Sequence, residues 1–434
     1  MPRGLGSLSG LETLGLFVVG KPANSVTPYE SKAKLACDLS DLDCLDNLKR
    51  RLTIILADRS KDIVSEAKAS NLARKELKYL TMIFRESRLV DEMVLENLKL
   101  SADLTYLSIE KYGGMRLPSW MREGIHCWLP NLVDIKIDEC KECINMCSFG
   151  RLSHLQSLYL NGLDKVEYIE NGSSSKSDMV VLADEDPSTS LFPSLTHLHL
   201  SDIPRLKGWR SVTDSVEDRV QNQLLKWMPA FSKLEEASME MELVISLAQG
   251  ISSLKNLTVG EQRCGPSNVT IKQRQPVILL KNYLPWLRHL TVHNSQMEHL
   301  PEEFRGMSSL IILAIYGEAL VAVPEWIDSF TSLEYLYIVN CPELKSLPHE
   351  IRNLSNLEYL YLDGCSTEIA ERGQAPSGKD WLKFNIFPTL SLNPLKMGKK
   401  IRYVVVSCRV TLWSGNYVLW YFVVNILFNC IYLA

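Results

Sequence analysis

Cys140, Cys143 and Cys147, with His126 and Cys127 nearby, are side chains that could ligate zinc. A closed zinc site takes four ligands, usually as two paired motifs, and no second pair follows at zinc-finger spacing. A small buried thiol at a turn is the plainer reading of these cysteines. His197 and His199 stand one residue apart, so on a strand both rings would share one face. Solvent-facing histidines explain that spacing without a metal. No Ser, Cys or His sits in a catalytic context such as Gly-x-Ser-x-Gly. The chain also has no Gly-x-x-x-x-Gly-Lys-Ser/Thr loop to cradle a phosphate. What remains is tyrosine. Tyr335, Tyr337, Tyr359 and Tyr361, with Tyr316 close by and Tyr159 and His199 further upstream, are rigid amphipathic rings of the kind that carry binding energy at protein interfaces. The residues predict a binding protein and not an enzyme, with no metal and no cofactor.

The elements that must position those rings are visible as a repeated spacing, Leu-x-x-Leu-x-Leu. It is clearest at Leu333/Leu336/Ile338 and Leu357/Leu360/Leu362. The same frame recurs at Leu104/Leu107/Ile109, Leu132/Ile135/Ile137, Leu155/Leu158/Leu160, Leu195/Leu198/Leu200, Leu254/Leu257/Val259, Leu287/Leu290/Val292 and Leu310/Leu313/Ile315. From Leu310 to Leu333 is 23 residues and from Leu333 to Leu357 is 24, within the roughly 20–29 of a leucine-rich repeat. The predicted fold is α/β, a leucine-rich-repeat solenoid. Parallel strands would line the concave face of a curved horseshoe, with irregular loops and short helices on the convex face. Alternate strand residues point to opposite faces. The leucines would therefore stack inward, and Tyr159, His199, Thr291, Tyr337 and Tyr361 would form a column outward. One repeat cannot bury its own apolar face, so the ladder is stable only as a stack.

Composition agrees with this. The chain has 434 residues, 46% of them hydrophobic, and a formal net charge of −4. That charge gives no general attraction to nucleic acid. Eleven scattered cysteines, and no signal-peptide pattern in Met1 to Gly20, point to a reducing compartment and a cytoplasmic location. The sequons at Asn171, Asn256, Asn268 and Asn353 then have no glycosylating environment. Cys140, Cys341 and Cys365 each fall three residues after the last apolar residue of a frame, where the strand turns away.

The first 60 residues carry weaker strand signals at Leu8/Leu11/Leu14 and Leu52/Ile54/Leu56. Asp62 to Lys78 is predicted as a helix capped by Asp62 or Ser65, leading into a strand at Leu77/Leu80/Met82. The 40 residues from Leu155 to Leu195 hold Asn171 to Ser177 and Asp184 to Pro187, a loop composition. A second long gap to Leu234 holds Ser211 to Asp218 and a short helix ending near Trp227.

Val64 to Lys75 resembles a segment of the leucine-rich-repeat region of plant disease-resistance proteins of the coiled-coil, nucleotide-binding kind. Further likenesses follow in order: Glu92 to Leu98, Leu104 to Ile109, Tyr112-Gly-Gly, Leu117-Pro-Ser-Trp120, Leu129-Pro-Asn-Leu-Val, Cys140-Lys-Glu-Cys143, Phe192-Pro-Ser-Leu and Leu206-Lys-Gly-Trp209. Leu300-Pro, Val323-Pro-Glu-Trp326, Cys341-Pro-Glu-Leu and Leu347-Pro complete the series, which covers most of residues 2 to 366. The resemblance implies recognition of a protein ligand, either a pathogen effector or a host target it has altered. It also implies control of a nucleotide-binding switch domain, whose phosphate loop and coiled coil this sequence lacks. Pro2 to Leu14 itself resembles an internal repeat, as in a fragment of a longer receptor.

From Val410 to Ala434 no residue is charged, and Lys396, Lys399, Lys400 and Arg402 stand just before. The division expected is a solenoid over 1–380, irregular over 1–100, followed by a non-repeat apolar tail over 381–434. That tail reads first as a gene-model artefact, and otherwise as a membrane anchor acting through 403–434 and keeping the repeats cytosolic. Function is expected to be recognition in plant defence. The alternatives are a repeat-based interaction adaptor or a truncated receptor product without a role of its own.

Overall fold

The computed structural model describes residues 5–20, 37–57, 60–85, 88–122, 124–170, 192–206, 208–210, 231–247, 250–260, 279–366, 368–369, 372, 393–397 and 400–405. Strands β1 to β6 are Leu16–Val19, Lys49–Leu56, Glu76–Phe84, Tyr106–Glu110, Asp134–Asp138 and Ser157–Asn161. Strands β7 to β11 are Tyr168–Glu170, His197–Ser201, Gly208–Arg210, Glu236–Glu240 and Asn256–Gly260. His289–His293, Ile312–Tyr316, Tyr335–Val339 and Tyr359–Asp363 form β12 to β15, and Asn393–Met397 and Lys400–Val405 form β16 and β17. Thirteen of them make one open parallel sheet in chain order, from which β7 and β9 are set apart as a small pair of their own. At its far edge β17 joins β15 antiparallel and carries β16.

In each of the nine Leu-x-x-Leu-x-Leu frames the last two residues lie on a strand of this sheet, and all three apolar residues are buried. Parallel sheets generally have both faces covered. Here the strands read alternately buried and part-exposed, so one face packs inward and the other stays open. Burying one leucine side chain contributes roughly 1.5–3 kcal/mol. The sum over a single repeat is too small to offset ordering its backbone, which makes stacking obligatory.

Two expectations need correction. Leu8/Leu11/Leu14 is not a strand: Leu8 is exposed, and the frame sits one step on, at Leu14/Phe17/Val19, with Phe17 opposite Ile54. The helix is shorter than Asp62 to Lys78. It runs Ile63–Ala69 and stops where Asn71 takes φ +48°, and Glu76 onward belongs to β3. Asp62 is its first cap residue but makes no side-chain capping bond. Leu72 and Leu77 are buried, and Lys75 beside them is only 1% exposed, its Nζ donating to the Leu45 carbonyl at 3.0 Å. Burial of that segment overrides the helix propensity of its residues. The loop segments 171–191 and 211–230 lie outside the described residues.

Past six of the strands the chain turns by a shared device. The residue two beyond the frame adopts positive φ at Lys111, Glu139, Gly162, Asp202, Asn340 and Gly364. There the N–H of Lys111 donates to Asp138, of Glu139 to Asn161, of Gly162 to Ser201 and of Asn340 to Asp363, each time to a carbonyl of the next strand. One residue later Cys140 and Cys365 turn their thiols onto strand-end carbonyls, at Ile109 and Asp138 and at Ile338 and Asp363, and Cys341 turns onto Val339. Between the two long gaps Phe192, Trp209 and Phe231 pack edge-on and tilted at 5.2–5.4 Å, filling the core there.

Candidate functional site

The open face of the sheet is built from three columns of side chains fixed by strand register. In the middle column stand Ser108, Lys136, Tyr159, His199, Ser238, Thr258, Thr291, Ala314, Tyr337 and Tyr361, each opposite the next. Tyr335 faces Tyr359 in the column before it, and His293 faces Tyr316 in the column after. All seven predicted site residues therefore lie on this face, but in two groups separated by β10 to β12.

The C-terminal group is aromatic. Tyr337 lies 5.6 Å from Tyr359 and 6.0 Å from Tyr361, and Tyr335 lies 6.3 Å from Tyr359. Tyr359 and Tyr361 are stacked at 6.5 Å. Tyr316 stacks on His293 at 4.3 Å. Burial raises the hydroxyl pKa of Tyr335, Tyr337 and Tyr359, so the rings are neutral phenols that can donate or accept. Each is only half-buried, which leaves part of every ring available for contact.

The second group is polar and paired. Tyr159 stacks on His199 with centroids 4.1 Å apart and planes 2° from parallel. Lys136 places its Nζ 5.4 Å from the Tyr159 ring, 3.0 Å from Glu110 and 2.9 Å from Asp138. Burial works against that charge, but hydrogen bonds to Asp138 and Glu110 overcome it and hold the lysine above its ordinary pKa. Beyond His199 a shallow cleft of about 260 Å³ is lined by His197, Glu236, Asn256, Thr258, His289 and Thr291, among others. Asn256 donates to Glu236 at 2.8 Å, and His197 Nε2 stands 3.5 Å from the same carboxylate. Burial lowers the pKa of His199, His289 and His293 and keeps them neutral near pH 7.

Lys136, His289 and His293 were not singled out from sequence, though alternation from the neighbouring frame leucines places each of them outward. The zinc reading finds different geometry. Cys140 and Cys143 are buried, their thiols donate to backbone carbonyls, and burial raises Cys143 to about 12. Cys127 is exposed. No group of three or more His, Cys, Asp or Glu placed to hold a metal occurs among the described residues. The stretch Gly15 to Lys21 comes nearest to a phosphate loop, but Pro22 stands where Ser or Thr is needed and Leu16–Val19 is strand β1. No helix among the described residues is long and apolar enough to cross a membrane, and 406–434 lie outside them.

A family model described as R13L1/DRL21 leucine-rich repeats matches residues 39–163 and 251–365. Relatives include the putative disease resistance protein RGA1 of Solanum bulbocastanum, 30% identical over 59% of this chain and 24% of that protein. Disease resistance protein RGA2 of the same species is 34% identical over 47% of this chain and 19% of its own length. The putative disease resistance RPP13-like protein 1 of Arabidopsis thaliana is 25% identical over 40% and 17%. The chain thus spans about a quarter or less of the curated relatives it matches. Among solved structures, a leucine-rich-repeat protein of Leptospira interrogans aligns over 80% of this chain and 90% of its own, with 19% identity and a TM-score of 0.28. A chain of the Drosophila Toll–Spatzle complex aligns over 76% and 42%, with 14% identity and a TM-score of 0.42.

Proposed function

The chain belongs to the R13L1/DRL21 leucine-rich-repeat family, and from that premise we propose that it is the protein-recognition part of a plant defence receptor. Its ligand is a pathogen effector or a host protein that an effector has altered. A nucleotide-binding switch domain encoded upstream would be the element it controls. The observation that carries this reading is the group of half-buried tyrosines, Tyr316, Tyr335, Tyr337, Tyr359 and Tyr361, on three adjacent strands of the open face. Large rigid rings there supply contact area at small entropic cost. Tyr159 and His199 extend the same face with a pre-stacked pair. Binding needs no metal, cofactor or nucleic acid, and no catalytic step.

The repeats are assigned to 1–380 and the tail to 381–434. The last parallel strand ends at Asp363, and the pair β16/β17 that follows runs antiparallel. The repeats act in the cytoplasm, and a membrane role would have to come through 403–434. The test is Tyr337→Ala with Tyr361→Ala, followed by binding to the cognate ligand and by circular dichroism. The proposal expects affinity to fall at least about tenfold, since hot-spot rings carry roughly 2 kcal/mol or more. Unchanged affinity with an intact fold would reject it.

A further inference from the structure

We propose that the tyrosine group is an arginine-reading surface, which grips an extended segment of the partner bearing guanidinium groups at alternate positions. This rests on the reading of the open face as a protein-binding surface and names the chemistry it selects.

The sheet contains its own control. Near its start Arg51 places its guanidinium carbon 5.2 Å from the Tyr79 ring, and Lys136 covers Tyr159 at 5.4 Å. The chain thus provides cations for two of its upstream tyrosines, Tyr79 and Tyr159. Among the described residues none stands over Tyr335, Tyr337 or Tyr359. A cation over the face of a tyrosine is attracted by the ring quadrupole, and arginine is the commoner partner because its plane also stacks.

The carboxylates beside these rings point to the same ligand. Glu334 and Glu358 immediately precede Tyr335 and Tyr359, and their backbones are joined by a hydrogen bond of 2.8 Å across the two strands. Both charges reach the Tyr335 hydroxyl and, after burial, help to raise its pKa. Burial and the neighbouring Glu358 likewise raise the Glu334 carboxyl. Neither carboxylate has a cationic partner among the described residues. Two like charges side by side are a standing cost that an incoming guanidinium would relieve. From Leu310 to Ser366 the sequence holds eight acidic and two basic residues, so the surroundings attract a cation from a distance.

Spacing selects the form of the ligand. The two cross-strand ring pairs, Tyr335 with Tyr359 and Tyr337 with Tyr361, are set apart along the strand by the 6.5 Å between Tyr359 and Tyr361. Side chains on one face of an extended peptide repeat at about 6.6 Å. Two arginines separated by one residue would each meet one ring pair, with Glu334 and Glu358 at the side.

The experiment uses the full chain and three short capped peptides of the same length, carrying alternate arginines, alternate lysines or alternate citrullines. Binding is followed by fluorescence polarisation at low and moderate salt. The arginine peptide is expected to bind best, the lysine peptide more weakly and the citrulline peptide about tenfold or more below arginine. Glu334→Gln with Glu358→Gln, a surface change that spares the fold, should weaken the arginine peptide and flatten its salt dependence. Tyr337→Leu should weaken it while leaving the salt dependence in place. Equal binding of citrulline and arginine, or arginine binding untouched by both variants, would overturn the proposal. Should the peptides fail while Tyr337→Ala with Tyr361→Ala still abolishes ligand binding, this inference falls and the recognition reading stands. Should the alanine pair leave ligand binding intact while the arginine peptide behaves as described, the recognition reading falls instead.

Discussion

At the scale of single residues, the open face separates groups the protein keeps neutral from groups it keeps charged. His199, His289 and His293 are held below their ordinary pKa by burial. Asp138 opposes the shift at His199, and at His289 Arg288 adds to it while Glu236 opposes it. In the unfolded chain these imidazoles titrate near about 6.5. Below that pH the unfolded state binds more protons than the folded state, so their contribution to stability is lost as pH falls through about 6.5 toward the depressed folded values. Asp134 and Glu334, whose carboxyls burial raises, act in the opposite sense at lower pH, so the comparison is made between variants. The urea midpoint should drop between about pH 7.5 and pH 5.5, and His199→Gln should reduce the drop. A variant whose pH dependence matches the parent would show that His199 is as well solvated folded as unfolded. Strand alternation made Tyr159, His199 and the tyrosines legible in the sequence. Lys136 was not legible in the same way, because its role depends on Glu110 and Asp138 from two strands, which no local pattern displays.

At the scale of the element, six of the repeats are a strand followed by a left-handed turn. The sequence displays the strand through its leucines, but the turn is written in several residue types, Lys111, Glu139, Gly162, Asp202, Asn340 and Gly364, and so leaves no motif. Residues with a Cβ at positive φ carry a cost of roughly 1–2 kcal/mol. Gly364→Ala should therefore destabilise the chain by about that amount. Its new Cβ would stand 3.2 Å from Asn340 Cα and 2.8 Å from Asn340 Oδ1. Glu139→Gly should instead remove part of that cost at its own turn. Chemical denaturation checks both, and a neutral Gly364→Ala would mean the turn relaxes to negative φ. The same blindness to φ explains the overlong helix from Asp62, where helix-forming residues continue past Asn71 although its φ of +48° ends the run. The opening frame was misplaced for another reason: Leu8, Leu11 and Leu14 form an apolar run spaced by threes, whereas Leu14, Phe17 and Val19 keep the spacing of the frame, and Phe17 and Val19 make the sheet contact.

At the scale of the whole molecule, thirteen parallel strands in chain order mean that each repeat depends on its two neighbours. Leu290 on β12 is fully buried between β11 and β13. Leu290→Ala should cost roughly 2–5 kcal/mol. It should also split or broaden the unfolding transition, because the stacks on either side lose their coupling. A single transition as sharp as the parent's, merely shifted, would argue for one cooperative unit. Nine of the thirteen parallel strands and the open face were legible because the leucine frame is periodic, but the frame of β10, Leu234/Ala237/Met239 with an alanine at its centre, was not picked out. The long interruptions before Leu195 and Leu234 were legible only as gaps in that period.

We propose that this face recognises a protein in plant defence. The most direct measurement is the defence response of plants carrying the gene for this chain with Tyr337→Ala and Tyr361→Ala, beside plants carrying Trp286→Ala. Trp286 is 65% exposed and lies outside the strands, so it removes an exposed ring without touching the open face. With protein levels matched, the tyrosine pair should abolish the response and the tryptophan variant should keep it. A response that survives loss of the tyrosines, or is lost with Trp286 alone, would contradict the account.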